Sequence, residues 1–279
     1  MKVTVARHAG FCFGVKRALD LVLAAQREAT GPIHTLGPLI HNPQVVARLE
    51  EEGVRPLASL ADASPGSTVV IPSHGGAPEL APRAAELGLR LLDATCPFVA
   101  QAHAYTAQLA GEGYQVVILG DQGHPEVMGL LGQAAGKASL VSDEADLDRL
   151  PLTGRKVGLV SQTTQTPAKL QAVAARLVGA CHELRVFNTI CAATSQRQAG
   201  ALELAAQVDM MIVVGGRNSA NTARLRELCS GLVRTEHVET AAELSPDWFA
   251  GVARVGVTAG ASTPDWIIRE VVASLSQLA

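Results

Sequence analysis

Leu89-Arg90-Leu91-Leu92-Asp93-Ala94-Thr95-Cys96-Pro97 runs from a short apolar stretch through a polar break into a cysteine and a proline. An apolar run of this length, stopped by turn residues, reads as a buried strand. Proline is well suited to the first turn of a helix, so Cys96 stands where a strand hands over to a helix. The arrangement recurs twice: Val3-Thr4-Val5 precedes Cys12, and Leu184-Arg185-Val186-Phe187 precedes Cys191. Behind Cys12, the residues Val15, Ala18, Leu19, Val22 and Leu23 follow helical spacing, which predicts a helix over 14–29 with one buried face. The cysteines are 84 and 95 residues apart.

Further apolar runs lie between these points. Val69-Val70-Ile71, Val116-Val117-Ile118-Leu119, Val157-Gly158-Leu159-Val160, Met211-Ile212-Val213-Val214 and Val255-Gly256-Val257 each end in Gly, Pro, Ser or Thr or close by, and alternate with amphipathic segments. The polar loops keep the same beat. His41, His124 and Ser219 follow their cysteines by 29, 28 and 28 residues, and His74, Thr163 and Ser262 by 62, 67 and 71. This repetition predicts an α/β protein of three similar lobes, 13–96, 97–191 and 192–279. The third lacks a final strand, which residues 1–12 are expected to supply, closing a pseudo-threefold ring. Ligands of α/β sheets bind at the carboxyl ends of strands, where these loops lie, so one central cavity is expected.

Composition narrows the classes. The chain has 279 residues, 48% hydrophobic but only 3% aromatic, so its core is built from Val, Leu, Ile and Ala, as suits parallel strands covered by helices. Net charge is −3, with no basic tract, which excludes a nucleic-acid binder that works by neutralising phosphates. No apolar run nears the ~20 residues of a membrane span, and the apolar part of the first eight residues is too short for a signal peptide. A cytoplasmic protein is expected, whose five cysteines are free, metal-bound or reactive rather than disulfide-paired.

A cysteine at a helix start sits in a partial positive field that favours thiolate, the metal-binding form. Three thiolates from three lobes match a cubane iron–sulfur cluster with one iron left open. With no C-x-x-C present, the case rests on repeat position, and Cys181 and Cys229 lack that position. His41, His74 and His124 can donate hydrogen bonds whether charged or neutral. The small-residue loops Gly215–Thr222 and Thr258–Pro264 suit phosphate oxygens, with Thr222 and Thr263 read as ordinary helix caps. Glu126, two residues past His124, would gain proton affinity in a site shut off from water and could donate a proton. On the residues alone, a zinc-dependent phosphate-ester hydrolase and a non-catalytic iron–sulfur redox sensor stay open as alternatives.

Taken in order, Ala9-Gly10-Phe11-Cys12-Phe13-Gly14-Val15-Lys16-Arg17-Ala18, Asp93-Ala94-Thr95-Cys96-Pro97, Gly123-His124-Pro125-Glu126-Val127, Ser161-Gln162-Thr163-Thr164-Gln165, Thr189-Ile190-Cys191-Ala192-Ala193-Thr194-Ser195 and Thr258-Ala259-Gly260-Ala261-Ser262 resemble the 4-hydroxy-3-methylbut-2-enyl diphosphate reductases. The resemblance runs from Val3 to about Ile268. It implies a trefoil-like fold around one [4Fe–4S] cluster per chain, held by Cys12, Cys96 and Cys191 with one open iron site. It implies that His41, His74, His124, Ser219, Asn221 and Ser262, with the backbone at Ala220, hold a small allylic diphosphate. Thr163 would meet the hydroxyl end of that substrate, and Glu126 would feed it protons. The family removes the allylic hydroxyl with two electrons, supplied by a ferredoxin or flavodoxin, and yields isopentenyl and dimethylallyl diphosphates. Two positions depart from the family pattern. Ala220 stands where many members carry Ser, and Gly76 replaces a branched apolar residue, which is expected to loosen the His74 loop.

Overall fold

In the computed structural model, residues 1–28 and 31–278 are described. Ala29, the end of the helix expected over 14–29, and Ala279, the end of the expected third lobe, lie outside the described residues. Strands and helices alternate as the apolar periodicity requires. The strands are β1 (Lys2–Val5), β2 (Ile33–Leu36), β3 (Arg55–Leu57), β4 (Thr68–Ile71), β5 (Arg90–Asp93) and β6 (Gln115–Leu119), followed by β7 (Ala138–Val141), β8 (Lys156–Ser161), β9 (Glu183–Val186), β10 (Met210–Val214), β11 (Arg234–Val238) and β12 (Arg254–Ala259). The helices are α1 (Phe13–Glu28), α2 (Pro43–Glu51), α3 (Leu80–Glu86), α4 (Pro97–Gly111), α5 (Pro125–Gln133), α6 (Pro167–Val178), α7 (Ala192–Ala205), α8 (Ala220–Ser230) and α9 (Asp265–Gln277). Prolines open α2, α4, α5 and α6, where their missing N–H costs nothing.

The strands form three four-stranded sheets, β3-β2-β4-β5, β7-β6-β8-β9 and β1-β12-β10-β11, with parallel pairing throughout. Within each, the second strand in sequence lies outside the first, then come the third and fourth. The three sheets therefore share one topology, and β1 supplies the fourth strand of the last. It pairs with β12 from Lys2↔Arg254 to Val5↔Val257. This strand order reverses direction between the first and third strands, and such switch points leave a crevice at the carboxyl ends.

The helices lie on both faces of the central strands. In β10, Met210, Ile212 and Val214 pack with Ile267, Ile268, Val271 and Leu275 of α9. Met211 and Val213 face the other way, onto Ala201 and Leu204 of α7 and Leu225 of α8. β6 repeats the scheme, with Val117 and Leu119 against α6 and Val116 and Ile118 against α4 and α5. Each such side chain contributes about 1.5–3 kcal/mol on burial, so strands apolar on both faces are fixed in the middle of their sheets.

By compactness the chain divides into two units. Met1–Val15, His41–Ala47 and Ala192–Ala279 form one and hold the β1-β12-β10-β11 sheet; Lys16–Ile40 and Arg48–Cys191 form the other and hold the remaining two sheets. Among the described residues no helix is long and apolar enough to cross a membrane. The β1 attachment continues past the strand, where the Ala6 N–H donates to the carbonyl of fully buried Val257 at 2.8 Å. Ala6→Pro removes that donor and strands the carbonyl. It is expected to lower the unfolding free energy by about 1–3 kcal/mol in urea titrations, and unchanged stability would contradict this account of the strand.

Candidate active site

Every residue singled out by the repeat lies just beyond the carboxyl end of a strand. His41, His124 and Ser219 follow the first strand of their sheets (β2, β6, β10), and His74, Thr163 and Ser262 follow the third (β4, β8, β12). These strands flank the topological switch points. Cys12, Cys96 and Cys191 follow the fourth strands, and each directly precedes a helix (α1, α4, α7).

One hydrogen bond repeats three times at this level. The backbone N–H of Cys12 donates to Ala261 O at 3.0 Å, that of Cys96 to Ser73 O at 2.9 Å, and that of Cys191 to Thr163 O at 3.0 Å. Each cysteine is thus latched to the polar loop of the neighbouring third strand. All three are half-buried, as a thiol offered to a ligand should be. The other two cysteines differ. Cys229 is fully buried in an apolar core that pushes its thiol up to about 11, and half-buried Cys181 donates to the Leu177 carbonyl at 3.1 Å. Among the described residues, no three His, Cys, Asp or Glu side chains are grouped so as to hold a single metal ion. A cubane is a different demand, because each of its cysteines sits on a different iron.

In the second unit the geometry converges on Glu126. His124 caps α5, its Nδ1 accepting the Glu126 N–H at 3.1 Å, which in a neutral ring leaves the proton on Nε2. Glu126 itself is not the solvated carboxylate that a helix start usually carries; only 3% of it is exposed. Its Oε1 accepts the Thr163 N–H at 2.6 Å and its Oε2 the Thr163 hydroxyl at 2.9 Å. Burial pushes the carboxyl up to about 7, helped by nearby Asp121 and opposed by the two Thr163 bonds. A group that titrates there is matched to proton transfer near neutrality.

The His74 loop is joined to this helix through a residue that the sequence reading missed. His103, on α4, is 8% exposed. A β-carbon at Gly75 would lie 2.7 Å from its ring and one at Gly129 of α5 would lie 2.8 Å from it. The imidazole therefore fills the space between the His74 loop and the helix that carries Glu126. A histidine seven residues behind Cys96, on the buried face of a helix, was the available signal. His74 Nε2 faces Pro38 O at 3.3 Å, so it carries the proton. The space beside Gly76 is occupied. A side chain there would need volume that Leu80 already fills, with a β-carbon 2.3 Å from Leu80 Cδ1.

The first unit collects the remaining polar residues. The Ser262 hydroxyl donates to His41 O at 2.9 Å, and burial lowers the proton affinity of the His41 ring. Ser219 caps α8 by accepting the Thr222 N–H at 3.3 Å, which leaves its own hydroxyl proton to be donated. Ala220 and Asn221 open that helix, where backbone N–H groups lack intrahelical acceptors. Asn221 is 4% exposed, and among the described residues neither atom of its buried carboxamide has a hydrogen-bond partner. An orphaned amide at a helix N-terminus is a ready site for an anion. Thr222 and Thr263 are not caps. Ser219 caps α8, and the Thr263 hydroxyl instead donates to Val214 O at 3.0 Å.

The sequence profile of the LytB protein family matches residues 3–276. A 4-hydroxy-3-methylbut-2-enyl diphosphate reductase of Citrifermentans bemidjiense is 50% identical over 279 residues, covering 100% of this chain and 98% of that protein. One from Geobacter sulfurreducens is 49% identical over 278 residues, covering 99% and 98%. Among solved structures, (E)-4-hydroxy-3-methyl-but-2-enyl diphosphate reductase, the terminal enzyme of the non-mevalonate pathway, is 45% identical with a TM-score of 0.71, over 99% of this chain and all of that one. The E-1-hydroxy-2-methyl-but-2-enyl-4-diphosphate reductase of Plasmodium falciparum is 28% identical with a TM-score of 0.95, over 99% and 88%. Motif order, sheet topology and full-length similarity agree, and the chain belongs to the LytB family of 4-hydroxy-3-methylbut-2-enyl diphosphate reductases.

Proposed function

We propose that this chain removes the allylic hydroxyl of (E)-4-hydroxy-3-methylbut-2-enyl diphosphate by adding two electrons and two protons, releasing water and giving isopentenyl and dimethylallyl diphosphates. The observation that carries the reading is the position of Thr163. Its carbonyl holds Cys191 through the N–H at 3.0 Å, while its own N–H and hydroxyl hold Glu126 at 2.6 and 2.9 Å. One residue thus joins a thiol to an acid of the right proton affinity.

Cys12, Cys96 and Cys191 would hold a [4Fe–4S] cluster with one iron open to substrate, one cysteine from each of the lobes 13–96, 97–191 and 192–279 plus 1–12. The thiols fit such a group, being half-buried, placed at helix starts and latched by the same backbone bond. When bound, the cluster supplies electrons one at a time, delivered by a ferredoxin or flavodoxin in the cytoplasm.

The chain's own residues do the rest. His41, Ser219, Asn221 and Ser262, with the Ala220 N–H, hold the diphosphate together with His74 and His124. Neutral and histidine donors suit a chain whose formal net charge is −3. Anchoring that end fixes the hydroxyl end at Thr163, which is catalysis by positioning. With Glu126 protonated, its contact with Thr163 Oγ1 reverses direction, so that the acid donates to Oγ1 while the threonine passes its own proton to the oxygen that leaves as water. Re-protonated from solvent, Glu126 supplies the second proton, which forms the new C–H bond as the two electrons replace the broken C–O bond.

Four outcomes test this assignment. Glu126→Gln is expected to keep iron, sulfide and substrate binding but lose about 10²–10⁴-fold in kcat under anaerobic assay with a reduced dye; full turnover would remove Glu126 from the reaction. The same variant bears on stability. A raised carboxyl stabilises the fold at low pH and loses that contribution as pH climbs through about 7. Wild-type stability should therefore fall more than that of Glu126→Gln between pH 5 and about 8. Asn221→Ala should raise KM for the diphosphate about 10–100-fold with little change in kcat, as expected for lost hydrogen bonds to a charged ligand. Cys191→Ser should lose most of the roughly four irons and four sulfides that a [4Fe–4S] centre holds, and Cys229→Ser should keep them. Equal loss at both positions would defeat the cysteine assignment.

A further inference from the structure

Two of the helices that begin at the cysteines carry an arginine reaching the backbone just ahead of another cysteine. On α7, directly behind Cys191, Arg197 is only 3% exposed. Its Nη2 donates to Gly10 O at 2.7 Å, two residues before Cys12, and its Nη1 to Ala193 O on its own helix at 3.2 Å. On α1, directly behind Cys12, half-buried Arg17 donates from Nη1 to Thr95 O at 3.0 Å, one residue before Cys96. The third helix, α4 behind Cys96, makes its link with a ring instead. Tyr105 stacks on Phe187, four residues before Cys191, with centroids 4.1 Å apart and planes within 2°. Behind each cysteine, then, a side chain grips the segment leading to the next, in the cyclic order 191, 12, 96.

Two of the three grips carry charge. A buried guanidinium is expensive to desolvate, which a purely mechanical brace does not require. A fold that needed only mechanical bracing could use stacked rings, as α4 does. Placing fixed cations beside the cysteine loops has a second effect: positive charge near a thiolate stabilises it and makes a cluster held there easier to reduce.

We propose that Arg197 and Arg17 are positioning residues for Cys12 and Cys96. Each fixes the backbone that leads to its cysteine and supplies positive charge that raises the reduction potential of the bound cluster. The inference rests on the assignment of these cysteines to a [4Fe–4S] centre. Neither arginine has a role in holding the diphosphate or moving protons, so the test reads the centre and not turnover.

The experiment uses the full chain, reconstituted anaerobically as wild type, Arg17→Gln, Arg17→Lys, Arg197→Met and Arg197→Lys. Iron and sulfide content, the rate of iron loss in air and the midpoint potential from dye-mediated titration followed by electron paramagnetic resonance are measured for each. Arg17→Gln and Arg197→Met are expected to shift the potential to more negative values and to lose iron about 10–100-fold faster, the usual cost of removing a group that supports a metal ligand. The lysine variants should recover most of the potential, because they keep the charge. Should Arg197→Met fail to fold, the Arg17 variants decide, since that side chain is half-exposed. A wild-type centre whose potential is unmoved in Arg17→Gln overturns the inference alone. Wild-type protein that takes up no iron and sulfide overturns the cluster assignment and this inference with it.

Discussion

The bond from each cysteine N–H to the carbonyl beside the third strand is the constraint on which the site depends. It occurs at Cys12, Cys96 and Cys191 with nearly equal lengths of 2.9–3.0 Å. A cysteine after a strand could otherwise point its thiol in many directions, since the loop that carries it has no regular structure of its own. The latch removes that freedom by tying the cysteine's backbone to the loop that follows the third strand. It also fixes which residues become neighbours, because Ala261, Ser73 and Thr163 each lie within one residue of, or at, a predicted ligand-binding position. Fold symmetry and site composition are therefore one fact at this point.

Around that constraint the three sheets have diverged in chemistry without diverging in topology. The loop after the third strand offers a histidine in the first sheet, a threonine in the second and a serine in the third. The second has a carboxyl bonded to it, that of Glu126, and holds it there at an energetic cost. Desolvation of Glu126 works against its charged form, and the two bonds from Thr163 offset only part of this, leaving the carboxyl near 7. An acid with unopposed burial would stay protonated and be a poor base; one fully paired would stay ionised and be a poor donor. The opposed effects leave it able to do both.

Much of this was legible in the sequence because the fold repeats. Apolar runs such as Val116–Leu119 and Met211–Val214 announce strands buried on both faces, and a proline behind Cys96 announces a helix. The missing fourth strand of the last sheet followed from counting, and β1 occupies that place. What periodicity does not carry is the identity of a partner far away in the chain. Glu126 and Thr163 are 37 residues apart, and Gly10 and Arg197 are 187 apart. Their pairing follows from sheet order, and no local pattern encodes it. Thr222 was misread for a related reason: Ser219 and Thr222 are both good caps, and only the backbone path decides which of them begins the helix.

His103 shows why some functional support stays hidden from sequence. In isolation it is a polar residue on a buried helical face, which is unremarkable. Its meaning comes from Gly75 and Gly129, neither of which could carry a β-carbon without striking its ring. The two glycines and the histidine form one close-packed unit, so the His74 loop cannot shift without disturbing the helix that begins beside Glu126. Close packing transmits displacement because interiors have little free volume to absorb it. A displacement of the His74 loop is in this way passed to the helix that carries Glu126, through a contact that involves no charge at all.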